Sequence, residues 1–194
     1  MSDRTRRRAP GPDLGERVVD TAIALAEERG WANVRLHDVA ARLDVGLDAI
    51  GNRFRDLDAV ANAWFGRARH ALLRTPTDLL IDRAPSERLH VAMMSWFDAL
   101  TPHRAVTGEM LRAKLHLSHP HHWVPMMFDL SRLMHDVLDV ARIASTGRQR
   151  ALAEVGLTLI FLATLRDWLR DDGRMPELLR GRLRRADRWL ARFA

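Results

Sequence analysis

Apolar residues recur at spacings of three and four along almost the whole chain, and no useful stretch alternates with period two. This pattern predicts an all-α fold of about nine helices. The first, from about Asp13 to Arg29, carries Leu14, Val18, Ala22 and Leu25 on one stripe and stops at Gly30. Two short segments follow, Leu36 to Leu43 and Leu47 to Arg53, on either side of an Asp44-Val45-Gly46 break. Neither is long enough to stand alone. From Leu57 to Leu73 a broader stripe of Leu57, Val60, Ala61, Trp64, Phe65, Ala68 and Leu72 predicts the helix that completes a first small core.

Between Arg74 and Ser86 the composition turns to Thr, Pro and Asp, which places a domain boundary there. The expected division is a basic arm over 1–12, a helix-turn-helix domain over 13–74 and a helical body over 75–194. In the body, helices are expected at about Ser86 to Leu100, Pro102 to Leu117, Pro120 to Ala144, Arg148 to Asp171 and Pro176 to Phe193. The stretch from Val155 to Leu165 is apolar on every face, so it is either the buried centre of the body or the meeting point with another subunit. The last helix is amphipathic and basic: Leu179, Leu183, Ala186, Leu190 and Phe193 share a stripe, with Arg180, Arg184, Arg185, Arg188 and Arg192 largely elsewhere.

Composition narrows the setting. The 194 residues are 47% apolar, enough for a real core, and contain no cysteine, which excludes disulfides and thiolate chemistry and fits the cytoplasm. No apolar run approaches the roughly 20 residues that cross a bilayer. The net charge of +6 favours a polyanionic partner, nucleic acid or an anionic lipid surface, without choosing between them. Arg4, Arg6, Arg7 and Arg8 make the N-terminal arm basic, with no apolar segment after them to form a secretory signal.

Two helices joined across a three-residue turn read as a helix-turn-helix, which presents its second helix to the DNA major groove. On that helix and just beyond it, Asn52 can pair with adenine, Arg53 with guanine or phosphate, and Arg55 with phosphate. Asp48 opposes them. In the body, Met93, Trp96, Met110, Trp123, Met127 and Phe128 belong to a set of adaptable apolar residues that suits a hydrophobic pocket and equally a plain core. His116, His119, His121 and His122 cluster without a nearby carboxylate and read as loop and capping residues rather than a metal site. No phosphate loop, nucleophile elbow or metalloprotease motif occurs, so neither an enzyme nor a cofactor is expected.

The first-helix stripe ending in Glu28-Arg29-Gly30-Trp31, then Leu36-His37-Asp38-Val39-Ala40, Val45, Ile50, Phe54 and Leu57-Asp58-Ala59-Val60, resembles the TetR family of transcriptional regulators over about residues 13 to 70. The resemblance implies a homodimer, joined through the last two helices, that reads a palindromic site in double-stranded DNA and responds to a small hydrophobic ligand. Together with the basic arm, the residues that are candidates to contact DNA are Arg6, Arg7, Arg8, Arg35, Asn52, Arg53 and Arg55. The sequence departs from the family pattern at polar positions. Arg35 stands where threonine is usual, Asp44 replaces the turn glycine, Gly46 the serine opening the recognition helix, Asp48 and Ala49 a glycine-threonine pair, Gly51 a tyrosine and Leu57 a lysine. The body looks more faintly like the lipid-binding ubiquinone-biosynthesis proteins of the same fold, through Ala99-Leu100-Thr101-Pro102-His103, Leu117-Ser118-His119-Pro120 and the arginine-rich end. That likeness implies an alternative, an isoprenoid- or lipid-binding accessory protein that meets a membrane surface through its last helix.

Overall fold

The computed structural model describes residues 13–114, 123–143, 147–170 and 173–190, with side chains throughout except at 123–127, 148, 189 and 190. It is all-helical. The elements are α1 (Leu14–Arg29), α2 (Leu36–Leu43), α3 (Leu47–Gly51), α4 (Leu57–Leu73), α5 (Pro85–Leu100), α6 (Arg104–Lys114), α7 (Trp123–Val140), α8 (Gly147–Arg170) and α9 (Met175–Leu190), with single 3-10 turns at Trp31–Asn33, Thr77–Leu79 and Thr101–His103. The chain forms two compact units that divide between Trp64 and Phe65, within α4.

The N-terminal unit is built by α1 lying against α2 and α2 against α3. Asp13 caps α1 by accepting from the Gly15 N–H at 3.2 Å, and Gly30, at φ 83°, releases the chain at the other end. Val18, Ala22, Val34, Val39 and Ile50 are fully enclosed, so each short helix contributes its apolar residues to one small core. α2 ends in a Schellman motif. The Val45 N–H donates to the Ala40 carbonyl and the Asp44 N–H to that of Ala41, with Asp44 left-handed at φ 54°.

The periodicity predicts a helix to Arg53, but α3 stops at Gly51, and Arg53 and Phe54 both donate their N–H groups to the Ile50 carbonyl. Gly51 has little helix propensity and the chain tightens there. Arg53 therefore leaves from a turn, not from a helix face.

In the C-terminal unit α5 packs on α9 and α7, α8 packs on α7 and α9, and α6 lies against α8. Its centre is aromatic: Trp96 and Phe97 meet edge to face at 5.1 Å, and Phe161 lies 5.1 Å from Trp96 and 5.4 Å from Phe97. The expected helix from Pro102 begins as the 3-10 turn at Thr101–His103. Thr101 Oγ1 donates to the Phe97 carbonyl at 2.9 Å and accepts from Trp168 Nε1 at 3.1 Å, so this corner is tied to α8. The four histidines at 116, 119, 121 and 122 lie outside the described residues.

Candidate nucleic-acid interface

α3 presents Leu47, Asp48, Gly51 and Asn52 outward from its buried anchor Ile50. Its N-cap, Gly46, offers no side chain to bond the first turn, and Asp48 Oδ1 lies 2.2 Å from where a Cβ on Gly46 would stand. The departures at 46 and 48 are thus coupled, since a serine at 46 requires Asp48 to swing away.

The arginines around α3 are engaged within the N-terminal unit. Arg53 Nη1 donates to Asp13 Oδ2 at 2.6 Å, which ties the turn after α3 to the start of α1. Arg35 Nη1 donates to the carbonyls of Ala32 and Val34 at 2.7 and 2.8 Å, fastening the loop before α2. Arg55 Nε donates to Asp56 Oδ2 at 2.8 Å, while Asp56 Oδ1 accepts from the Ala59 N–H at 2.8 Å and caps α4. Burial pushes the Asp56 carboxyl up, but the Ala59 N–H and Arg55 outweigh it and hold the group below the usual carboxylate range. Arg29 pairs with Asp38 at 2.6 Å, and Arg42 grips both oxygens of Glu28 at 2.8 and 2.9 Å. The Arg42 hydrogen bonds lower the Glu28 pKa. Asn52 is exposed, and Arg6, Arg7 and Arg8 lie outside the described residues.

In the body, Met93 and Trp96 on α5 and Met110 on α6 are buried, while Phe128 is exposed on α7. The side chains of Trp123 and Met127 lie outside the described residues. α8 buries Leu157, Phe161, Thr164 and Trp168 and leaves Leu152, Val155, Leu159 and Leu162 between 45% and 63% exposed. The apolar-all-round stretch is thus half core and half surface in the single chain. The stripe of α9 turns inward through Leu179 and Leu183, and three of its arginines are bonded within the body: Arg180 and Arg184 to Glu87, and Arg182 to Asp167. Among the described residues no group of three or more histidines and carboxylates gathers to hold a metal, and no helix is long and apolar enough to cross a membrane.

Among solved structures, a TetR transcriptional regulator from Nitrosomonas europaea ATCC 19718 is 36% identical, with a TM-score of 0.80 over 90% of this chain and 98% of the other. The chain belongs to the TetR family of transcriptional regulators. Two further TetR structures share the fold at lower identity. One, from Rhodococcus sp. RHA1, is 18% identical with a TM-score of 0.61 over 89% of this chain and 92% of its own. The other, the regulator PfmR from Thermus thermophilus, is 17% identical with a TM-score of 0.57 over 89% of this chain and 94% of its own. No family model and no curated protein matches the sequence.

The stretch from Asp13 to Trp64 is acidic. It holds six arginines against ten carboxylates, a net of −4, while residues 1–12 hold four arginines against one aspartate, a net of +3. The cations from Asp13 to Trp64 are therefore outnumbered by acids, and Arg29, Arg42, Arg53 and Arg55 are each bonded to one. Sequence reasoning singled out Arg53, Arg35 and Arg55 but missed their partners. The Asp13–Arg53 pair joins residues forty apart, and the only local signal for it is an aspartate at a helix start.

Proposed function

We propose that this TetR-family chain is a DNA-binding transcriptional regulator that works as a homodimer in the cytoplasm, reads a palindromic operator and is controlled by a small apolar ligand. The observation that carries the DNA-binding part is α3 itself. It is held across the left-handed Asp44 turn by one fully buried residue, Ile50, with Leu47, Asp48, Gly51 and Asn52 facing out. Family membership supports a regulator rather than an enzyme.

The dimer rests on the exposed row Leu152, Val155, Leu159 and Leu162 of α8. An apolar row of this length on a helix favours contact with a second copy over water. Two heads related by a two-fold axis would meet successive major grooves, about 34 to 36 Å apart on B-DNA. Met93, Trp96 and Met110, buried on α5 and α6, are the proposed surroundings of the ligand, and the exposed Phe128 is not among them. Ligand and operator would then be coupled reciprocally. Leu179 and Leu183 of α9 are buried inside the body, so its apolar stripe is not presented to a membrane surface.

Selection from a random duplex pool at about 0.1 M salt, where phosphate attraction is partly screened, tests the DNA reading. An enriched palindrome is expected. Failure to enrich any sequence would sink the proposal.

A further inference from the structure

Asp13 sits at the junction of two structures. Its Oδ2 atom accepts both the Gly15 N–H of the first turn of α1, at 3.2 Å, and Arg53 Nη1 from the turn after α3, at 2.6 Å. Gly15 leaves room for this crossing: a Cβ there would stand 3.2 Å from Asp13 Oδ2 and 3.9 Å from both Arg53 Nη1 and Phe54 Cζ. The carboxylate is favoured where it is by the positive end of the helix and by the guanidinium. The Arg53 and Asp13 side chains are nevertheless 47% and 57% exposed, so this is an exchangeable surface pair, not a buried lock.

An anionic oxygen accepting an arginine N–H at a helix start is what a DNA phosphate oxygen can also be. We infer that Asp13 is a built-in competitor of DNA for Arg53, so that operator binding replaces the Asp13 carboxylate by phosphate on that guanidinium. This rests on the DNA-binding reading above. The competition matters in this chain because Arg29, Arg42 and Arg55 are likewise engaged with carboxylates, and the surrounding charge of −4 leaves few cations for the polyanion. Asp13 thereby sets affinity without being a DNA contact itself.

The test uses the full chain, the selected operator duplex and a double-mutant cycle of Asp13→Asn with Arg53→Ala. Asparagine caps a helix about as well as aspartate, so α1 should keep its start; Asp13→Ser is a second cap-preserving variant, and thermal melts check both. Asp13→Asn is expected to tighten operator binding about 3- to 10-fold at about 0.1 M salt and to leave the slope of the salt dependence nearly unchanged, because Arg53 ends on phosphate in both proteins. In the Arg53→Ala background most of that gain should vanish. An equal gain with and without Arg53 would mean that Asp13 acts only as a general negative charge, and no gain would mean no competition; either result overturns the inference while operator binding itself stands. If neither the natural chain nor Asp13→Asn binds any selected duplex, the DNA reading fails and the inference with it.

Discussion

Asp44 carries the turn between α2 and α3 through the left-handed region at φ 54°, a conformation in which a side chain crowds the following carbonyl. Aspartate is among the few residues that tolerate it, and β-branched residues do not. Asp44→Val should therefore cost about 1 to 2 kcal/mol in urea unfolding, while Asp44→Gly should match or exceed the natural chain. A valine variant of unchanged stability would show that the turn is not held as described. The turn itself was legible in the sequence, because Asp-Val-Gly interrupts two apolar patterns. The partners of Arg35, Arg53 and Arg55 were not. A guanidinium on a flexible stem reaches whatever carbonyl or carboxylate the fold brings near, and residue spacing carries no record of that.

Individual helices show a similar split. The limits of α2 and α4 follow from periodicity, whereas α3 ends two residues early because Gly51 weakens a segment with too few turns to resist. The seam between α5 and α9 was not foreseeable from either helix alone. There His90 is buried and its Nε2–H donates to the Pro176 carbonyl at 3.1 Å, while Arg180 and Arg184 bond Glu87 one turn earlier on α5. Burial drives the His90 pKa below its ordinary 6.5; Arg180 acts in the same direction, and the Pro176 carbonyl, Glu87 and Asp98 act against it. For Glu87 burial acts upward, but Arg184 and Arg180 prevail and hold the carboxyl below its ordinary 4.5.

These shifts separate two pH windows. As the pH falls below about 6.5 the unfolded chain takes up a proton that folded His90 resists, so stability declines from there downward; the Glu87 contribution is kept above about 4.5 and lost only at lower pH. Unfolding measured from about pH 7.5 to about pH 5 should show the first decline, and His90→Gln should flatten it. A parallel decline in both proteins would remove His90 as its cause. On α8, Val155→Arg and Leu159→Glu should convert the proposed dimer to monomer in light scattering with little change in helical content, because both positions are exposed in the single chain. Dimers that persist in both variants would rule out this face.

At the scale of the whole molecule the charge is unevenly placed: +6 overall, yet −4 over the head from Asp13 to Trp64. Attraction to DNA then depends heavily on the arm, so deleting residues 1–12 should weaken binding to all duplexes together, by about tenfold or more at about 0.1 M salt, and flatten the salt dependence. Arg53→Ala should weaken operator and random duplex about equally, because phosphate is what replaces Asp13 on that guanidinium; a loss confined to the operator would mean that Arg53 reads a base. Arm deletion without effect would place the electrostatic attraction elsewhere.

By itself the sequence determined the all-helical class, the order of the elements and the helix-turn-helix, because these follow from local spacing of apolar residues and from turn chemistry that acts within a few positions. It also contained the acidity of the head, which is a matter of counting. Tertiary structure alone decided which surfaces remain available. It turned α9 inward and left one face of α8 bare, and it brought Asp13 onto Arg53 across forty residues. Pairings of that kind depend on where the folded backbone places two distant segments, and a one-dimensional pattern of polar and apolar residues does not encode their distance.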